Sequence, residues 1–207
     1  KAVIMLEVAS HSSMEDAERQ ADALIADLQK NKHGYALPKI FGADIDKVNE
    51  LRKAGLGLLG SIVGDNKAAD SIEDTAVELS DLPDYIAEFS AMMERHGQSA
   101  IYYAHAGAGE LHLRPVLNLK TKEGLHQFRN IATEVAILVK KYRGSLSGEH
   151  GDGIVRGEFL PFMIGDKNYE LLKRIKKAFD PNTILNVGKI VNASKMDENL
   201  RVEAGRV

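Results

Sequence analysis

Cysteine is absent from the 207 residues. That excludes disulfides, thiolate zinc sites and iron–sulfur ligation within this stretch. No apolar run approaches the ~20 residues that a membrane-spanning helix needs, and no signal peptide is visible. A basic excess is missing too. The formal charge is −3, so the footprint of a nucleic-acid-binding surface is not there. Nor does the chain open on methionine: Lys1 leads straight into an apolar run, which reads as a piece of a longer protein. What is present is apolar residue in quantity, 44%, enough for the core of one large domain or two small ones.

Two Gly-rich stretches concentrate the chemistry. One is His105-Ala106-Gly107-Ala108-Gly109-Glu110-Leu111-His112; the other is Ser147-Gly148-Glu149-His150-Gly151-Asp152-Gly153. His105 and His112 can face each other if the glycines between them let the chain turn between two strands. With Glu149 they make two imidazoles and a carboxylate, a set that leaves an open coordination position, as catalytic metal sites require. His150 is then free to act as a base, and on extended backbone its side chain would diverge from that of Glu149. Glu110 and Asp152 stay ambiguous between this site and solvent. His11, His33, His96 and His126 read as ordinary surface or satisfied polar residues.

The periodicity predicts a mixed chain. Residues 2–9 and 35–41 read as strands, the second lowered to an edge by Pro38. Ser12 and Glu15 look like a capping box ahead of a helix carrying Ala17, Ala21, Leu24, Ile25 and Leu28, with a stop at Gly34. Residues 44–54 read as a helix, 72–79 and 99–103 as strands. A helix follows on Leu82, Tyr85, Ile86, Phe89, Met92 and Met93. Residues 111–117 alternate as a strand, with Pro115 marking an edge. The longest helix carries Leu125, Phe128, Ala132, Val135, Leu138, Val139 and Tyr142 and ends at Gly144. A last one buries Tyr169, Leu172, Ile175 and Phe179. From Met196 onward the chain looks polar and ready to fray. The order indicates α+β: an antiparallel sheet with helices on one face, in ferredoxin-like halves. Gly55-Leu56-Gly57-Leu58-Leu59-Gly60 matches the dinucleotide fingerprint letter for letter. That pattern works only where a strand turns into a helix, so it reads here as a flexible helix end and loop.

Three segments carry a resemblance: the two motifs above and Phe179-Asp180-Pro181-Asn182-Thr183-Ile184-Leu185-Asn186-Val187-Gly188-Lys189. They are similar to the C-terminal domain of FAD-linked oxidases of the vanillyl-alcohol-oxidase type, nearest the D-lactate, glycolate and D-2-hydroxyglutarate dehydrogenases. Asn49 to Gly55 and Glu73-Asp74-Thr75-Ala76-Val77 look like the same family. The resemblance implies a substrate and metal domain over residues 1–195 with a polar tail or linker at 196–207. The FAD-binding domain lies outside the chain. It implies that His105, His112 and Glu149 bind a divalent ion of the zinc type, and that His150 takes the hydroxyl proton while hydride passes to FAD. Arg52 would pair with the substrate carboxylate, Arg114 would be a second substrate cation, and Asn186 would approach the flavin. A 2-hydroxy acid as substrate, an iron–sulfur domain or subunit as electron acceptor, and a cytoplasmic location, peripheral to the membrane through that acceptor, go with it.

The chain departs from the family pattern in places. Ala108 and Glu110 replace Asp and Asn of the first motif, Val187 replaces Pro, and Arg114 stands where hydroxyglutarate enzymes carry Asn. These bear on substrate identity more than on reaction class. Two alternatives stay open: a metal-independent flavin oxidoreductase of the same fold, and a non-catalytic module that docks an electron-transfer partner.

Overall fold

The computed structural model describes residues 2–202 and Gly205. The chain divides into two compact units, residues 1–56 and 57–207, where the sequence reads as one domain through residue 195.

In the first unit, α1 (Met14–Lys30) is capped by Ser13, whose hydroxyl accepts from the Asp16 N–H at 3.1 Å. The cap is therefore one residue later than expected. Glu15 and Asp16 in the first turn and Lys30 in the last complement the helix dipole. Helix α2 (Asp44–Gly60) runs on through the glycines. The fingerprint-like segment thus lies inside a helix, with no strand-to-helix turn to cradle a phosphate. Residues 2–9 and 35–41 are not strands. Val3 and Ile4 are exposed. An apolar run asks for burial, but a strand also needs a partner backbone, and neither segment has one among the described residues.

The second unit is built around β4 (Glu110–Leu117). Along one edge it pairs antiparallel with β3 (Ala100–His105), from Ala100↔Pro115 to His105↔Glu110. The other edge is shared. Strand β2 (Thr75–Ala76) takes the Leu111 end and β1 (Lys67–Ala68) takes the Leu117 end. β4 is thus the central strand, and Pro115 does not mark an edge. Its missing donor falls between β1 and β2, and its carbonyl accepts from the Ala69 N–H at 2.7 Å. Residues 72–79 yield only the two-residue β2, because Glu73 and Asp74 leave the ladder to serve the site.

Successive side chains of β4 point to opposite faces. Leu111, Leu113 and Leu117 enter the core with Tyr85, Phe89, Met92 and Met93 of α3 (Leu82–Arg95). Phe128, Ile131, Val135 and Val139 of α4 (Lys122–Lys141) complete it. Each such buried side chain contributes about 1.5–3 kcal/mol. The α+β expectation holds, and the expected ferredoxin-like halves are represented among the described residues by this one small sheet.

After α4 the chain returns to β2. Ser145 bonds Ala76 both ways at 2.9 Å. Gly144 is needed for close approach, since a Cβ there would lie 2.3 Å from the Ala76 oxygen. Helices α5 (Leu160–Ile164) and α6 (Asp166–Phe179) follow. Only Tyr169 of α6 is buried; Ile175 and Phe179, expected inside, are exposed. The tail corrects a second expectation. Met196 joins the core, its N–H donates to Glu158 at 2.7 Å, and Arg129 grips Asp197 at 2.7 Å. The polar composition of this stretch hid two apolar contacts with the core, Met196 and the partly buried Leu200, and the Arg129–Asp197 ion pair.

Candidate metal and acid–base centre

The outer face of β4 carries Glu110, His112 and Arg114 at every second position. Register sets His105 opposite Glu110 and Tyr103 opposite His112. The connecting turn is a 3-10 turn (Ala106–Ala108) closed by Gly109 at φ +72°. A Cβ on Gly109 would lie 2.1 Å from the Val77 oxygen, so only glycine fits.

The second motif reaches this face through Asp74. That carboxylate is fully buried and accepts from the Ser147 hydroxyl at 2.6 Å, the Glu149 N–H at 2.9 Å and the His150 N–H at 3.0 Å. Arg156 stands 3.4 Å away. Burial pushes the Asp74 carboxyl up, but the bonds from Ser147, Glu149 and His150 together outweigh it and hold the group below its ordinary range. Gly148 lets the loop settle on Glu110, where a Cβ would lie 3.0 Å from Cγ.

Four side chains converge as a result. Ligand atoms of His105, Glu110, His112 and Glu149 all lie within 4.8 Å of one another. Glu149 Oε1 is 3.7 Å from Nε2 of both His105 and His112, and Glu110 Oε1 is 3.8 Å from His112 Nε2. Such spacings suit donors that share one ion about 2 Å from each. His112 is buried, and its Nδ1 lies 2.6 Å from the Glu73 carbonyl. A carbonyl only accepts, so the ring proton sits on Nδ1 and the Nε2 lone pair faces the cluster. Glu110 Oε1 is buried with no hydrogen-bond partner. Burial first, then hydrogen bonding to Asp74 and the charges of Glu149 and Asp74, push its carboxyl up to about 7. A buried acid without a donor is costly, and a cation would offset that cost. The donor set fits a divalent ion, with Glu110 beside the expected three.

His150 lies against this group. Its ring stacks on that of His112, with centroids 5.4 Å apart and planes 9° apart. Its Nε2 is 3.4 Å from Glu149 Oε1 and its Nδ1 is 3.6 Å from Glu73 Oε1. The expected divergence of Glu149 and His150 does not occur. Their backbone wraps around Asp74 instead of extending, so both side chains turn to one side. Arg114 is ion-paired with Glu73, which leaves it held rather than loose. Asn186 takes a left-handed φ of +46° in an exposed loop. Asp180 accepts from Ile184 and Leu185 at the loop's start, and the Ile190 N–H donates to Gly153 at its end. Arg52 stands on α2 in the first unit. Asp152 is partly buried, and burial pushes its carboxyl up against the opposing pull of Arg156. His96 bonds Gln127 and Glu134, an ordinary polar role.

Sequence reasoning counted Glu73 and Asp74 in a segment of the resemblance but gave them no role at the site, and it left Glu110 undecided. The available signal was Glu110, His112 and Arg114 recurring every second residue on a strand whose other positions are apolar. Nothing in the order of residues shows that Asp74 anchors a loop 73 positions later.

The family model described as FAD linked oxidases, C-terminal domain, matches residues 1–190. The chain is 38% identical over 176 residues to D-2-hydroxyglutarate dehydrogenase of Escherichia coli (strain K12), covering 85% of this chain and 17% of that protein. It is 31% identical over 128 residues to D-lactate dehydrogenase of Archaeoglobus fulgidus, 62% and 28% of the two chains. It is 24% identical over 190 residues to glycolate oxidase subunit GlcD of Bacillus subtilis, 92% and 39%. The chain thus spans about a sixth of the first of these relatives.

Proposed function

From the chain's membership of the FAD-linked oxidase C-terminal domain family, we propose that it is the substrate and metal domain of an FAD-dependent 2-hydroxy-acid dehydrogenase. The observation that carries this reading is the convergence of His105, Glu110, His112 and Glu149, with His150 stacked against His112. Relatives named D-2-hydroxyglutarate dehydrogenase match at 38% over 85% of the chain, against 31% and 24% for the D-lactate and glycolate proteins. That favours a substrate of the hydroxyglutarate type.

His105, His112 and Glu149 would hold the ion, with Glu110 as a buried fourth donor. When bound, a divalent ion supplies Lewis-acid polarisation of a substrate oxygen and the flavin supplies the hydride acceptor. His150 stands beside the ion's donors and takes the substrate hydroxyl proton at Nε2. Asp74 keeps Glu149 and His150 in register through their backbone amides. Arg52 and Asn186 keep the roles that the resemblance implies, at the substrate carboxylate and near the flavin. The flavin is bound mostly by a domain outside this chain, and an iron–sulfur domain or subunit takes the electrons. No helix among the described residues is long and apolar enough to cross a membrane.

The test uses the complete flavoprotein. His112→Ala and strict chelation should each remove the metal and lower hydroxy-acid turnover at least about 100-fold. His150→Ala should lower turnover with metal retained. Undiminished turnover after both chelation and His112→Ala would overturn the metal role and favour the metal-independent alternative.

A further inference from the structure

We propose that Glu73 is the positioning residue for His150 and that Arg114 holds Glu73 in place. The inference rests on the reading of His150 as the proton acceptor. Three contacts radiate from this one residue. Its backbone carbonyl fixes His112 Nδ1 at 2.6 Å. Its Oε1 lies 3.6 Å from His150 Nδ1. Its Oε2 is ion-paired with Arg114. Both partners of that pair are largely buried, the side chains 15% and 17% exposed, so neither swings freely in solvent.

Geometry separates Glu73 from the metal donors. It is not one of the four side chains that converge. It stands on the Nδ1 side of His150, whereas the cluster lies on the Nε2 side, 3.4 Å away at Glu149. A carboxylate only accepts, so it favours the ring proton on Nδ1 and leaves the Nε2 lone pair facing the site. A base oriented by a third group is the general logic of activated sites. The 3.6 Å separation is long for a hydrogen bond; such contacts tighten when substrate is bound. Stacking on His112 already fixes the plane of the ring. Arg114 occupies the other oxygen of Glu73 and keeps that carboxylate from turning toward the four converging side chains. The strand explains the placement: Arg114 follows His112 by two residues on one face of β4, and Glu73 lies just ahead of β2, which pairs with β4 at Leu111. A cation at position 114 in place of Asn thereby acquires a function other than binding a second anionic group.

The two roles of Glu73 can be pulled apart, because a side-chain substitution leaves its carbonyl on His112. The experiment measures single-turnover flavin reduction by D-2-hydroxyglutarate, KM, metal content and thermal midpoint in the complete flavoprotein. The variants are Glu73→Gln, Glu73→Asp, His150→Gln and Glu73→Gln/His150→Gln. Glu73→Gln should slow flavin reduction about 10- to 100-fold, with KM within about threefold and metal content unchanged, and Glu73→Asp should recover part of the rate. On the His150→Gln background, Glu73→Gln should cost less than about twofold more. Should Glu73→Gln fold poorly around an unpaired Arg114, Glu73→Gln/Arg114→Met removes the pair as a unit and should show the same loss. Equal slowing on both backgrounds, lost metal, or a full rate for Glu73→Gln beside a slow His150→Gln overturns the inference alone. A full rate for His150→Gln overturns the proton-acceptor reading and this inference with it.

Discussion

Glu149 Oε1 and His150 Nε2 lie 3.4 Å apart, although the two residues are consecutive. Consecutive side chains on a strand point to opposite faces. Here both backbone N–H groups donate to one buried carboxylate, Asp74, at 2.9 and 3.0 Å. The loop is curled around that acid, so the Glu149 and His150 side chains share one side of the chain.

Asp74→Ala should release the loop. Three donors lose their buried acceptor, at about 1–3 kcal/mol each for those that water cannot reach. We expect a loss of several kcal/mol in urea denaturation and a fall in turnover of at least about 100-fold. Asp74→Asn keeps one acceptor oxygen and should lie between. Because the carboxyl is held below its ordinary range, its stabilisation is complete above the unfolded value, near 4. It should fade as pH falls below that value, and Asp74→Asn should flatten that acid limb.

Glu110→Gln keeps the shape of a buried side chain and removes its charge. If Glu110 is the fourth donor, zinc affinity measured by competition with a chelator should fall about 10- to 100-fold. An unchanged affinity would return Glu110 to a purely structural place.

Gly109→Ala tests the hairpin that brings His105 to Glu110. The added methyl would meet the Val77 oxygen at 2.1 Å, at a φ of +72°. Strain at such a position costs about 1–3 kcal/mol before the clash is counted. A clear drop in thermal midpoint is expected, together with weaker metal binding as the two strands shift.

Asp180 closes α6 and anchors the loop that carries Asn186. The Lys176 ammonium and the Ile184 and Leu185 N–H groups hold its carboxyl down to about 2. Its contribution is therefore present above the unfolded value near 4 and is lost as pH falls toward about 2. Asp180→Asn should remove that dependence and speed amide exchange across residues 184–190 at neutral pH.

Much of the helical framework was legible in order alone. The stripes of Tyr85, Phe89, Met92 and Met93, and of Phe128, Val135 and Val139, carry a 3.6-residue period that holds wherever the helix packs. Strands were less so. Residues 2–9 have the composition of a buried strand and are not one, since pairing depends on a neighbour that composition cannot supply. Met196 was hidden by its polar surroundings, and Ile175 and Phe179 by a helical stripe that this unit leaves exposed.

Residue types and spacing by themselves singled out which imidazoles and which Glu-His pair to read as the candidate site, because glycine-flanked His and Glu are poor core material and the motifs are local. They also determined the family, which resides in those same local words. Only the tertiary structure decided that Glu110 lies among His105, His112 and Glu149, that Asp74 curls the second motif, and that Glu73 stands between His112, His150 and Arg114. Those relations are set by strand register and by hydrogen bonds spanning up to 76 positions, and a contact across such a gap leaves no period in the chain.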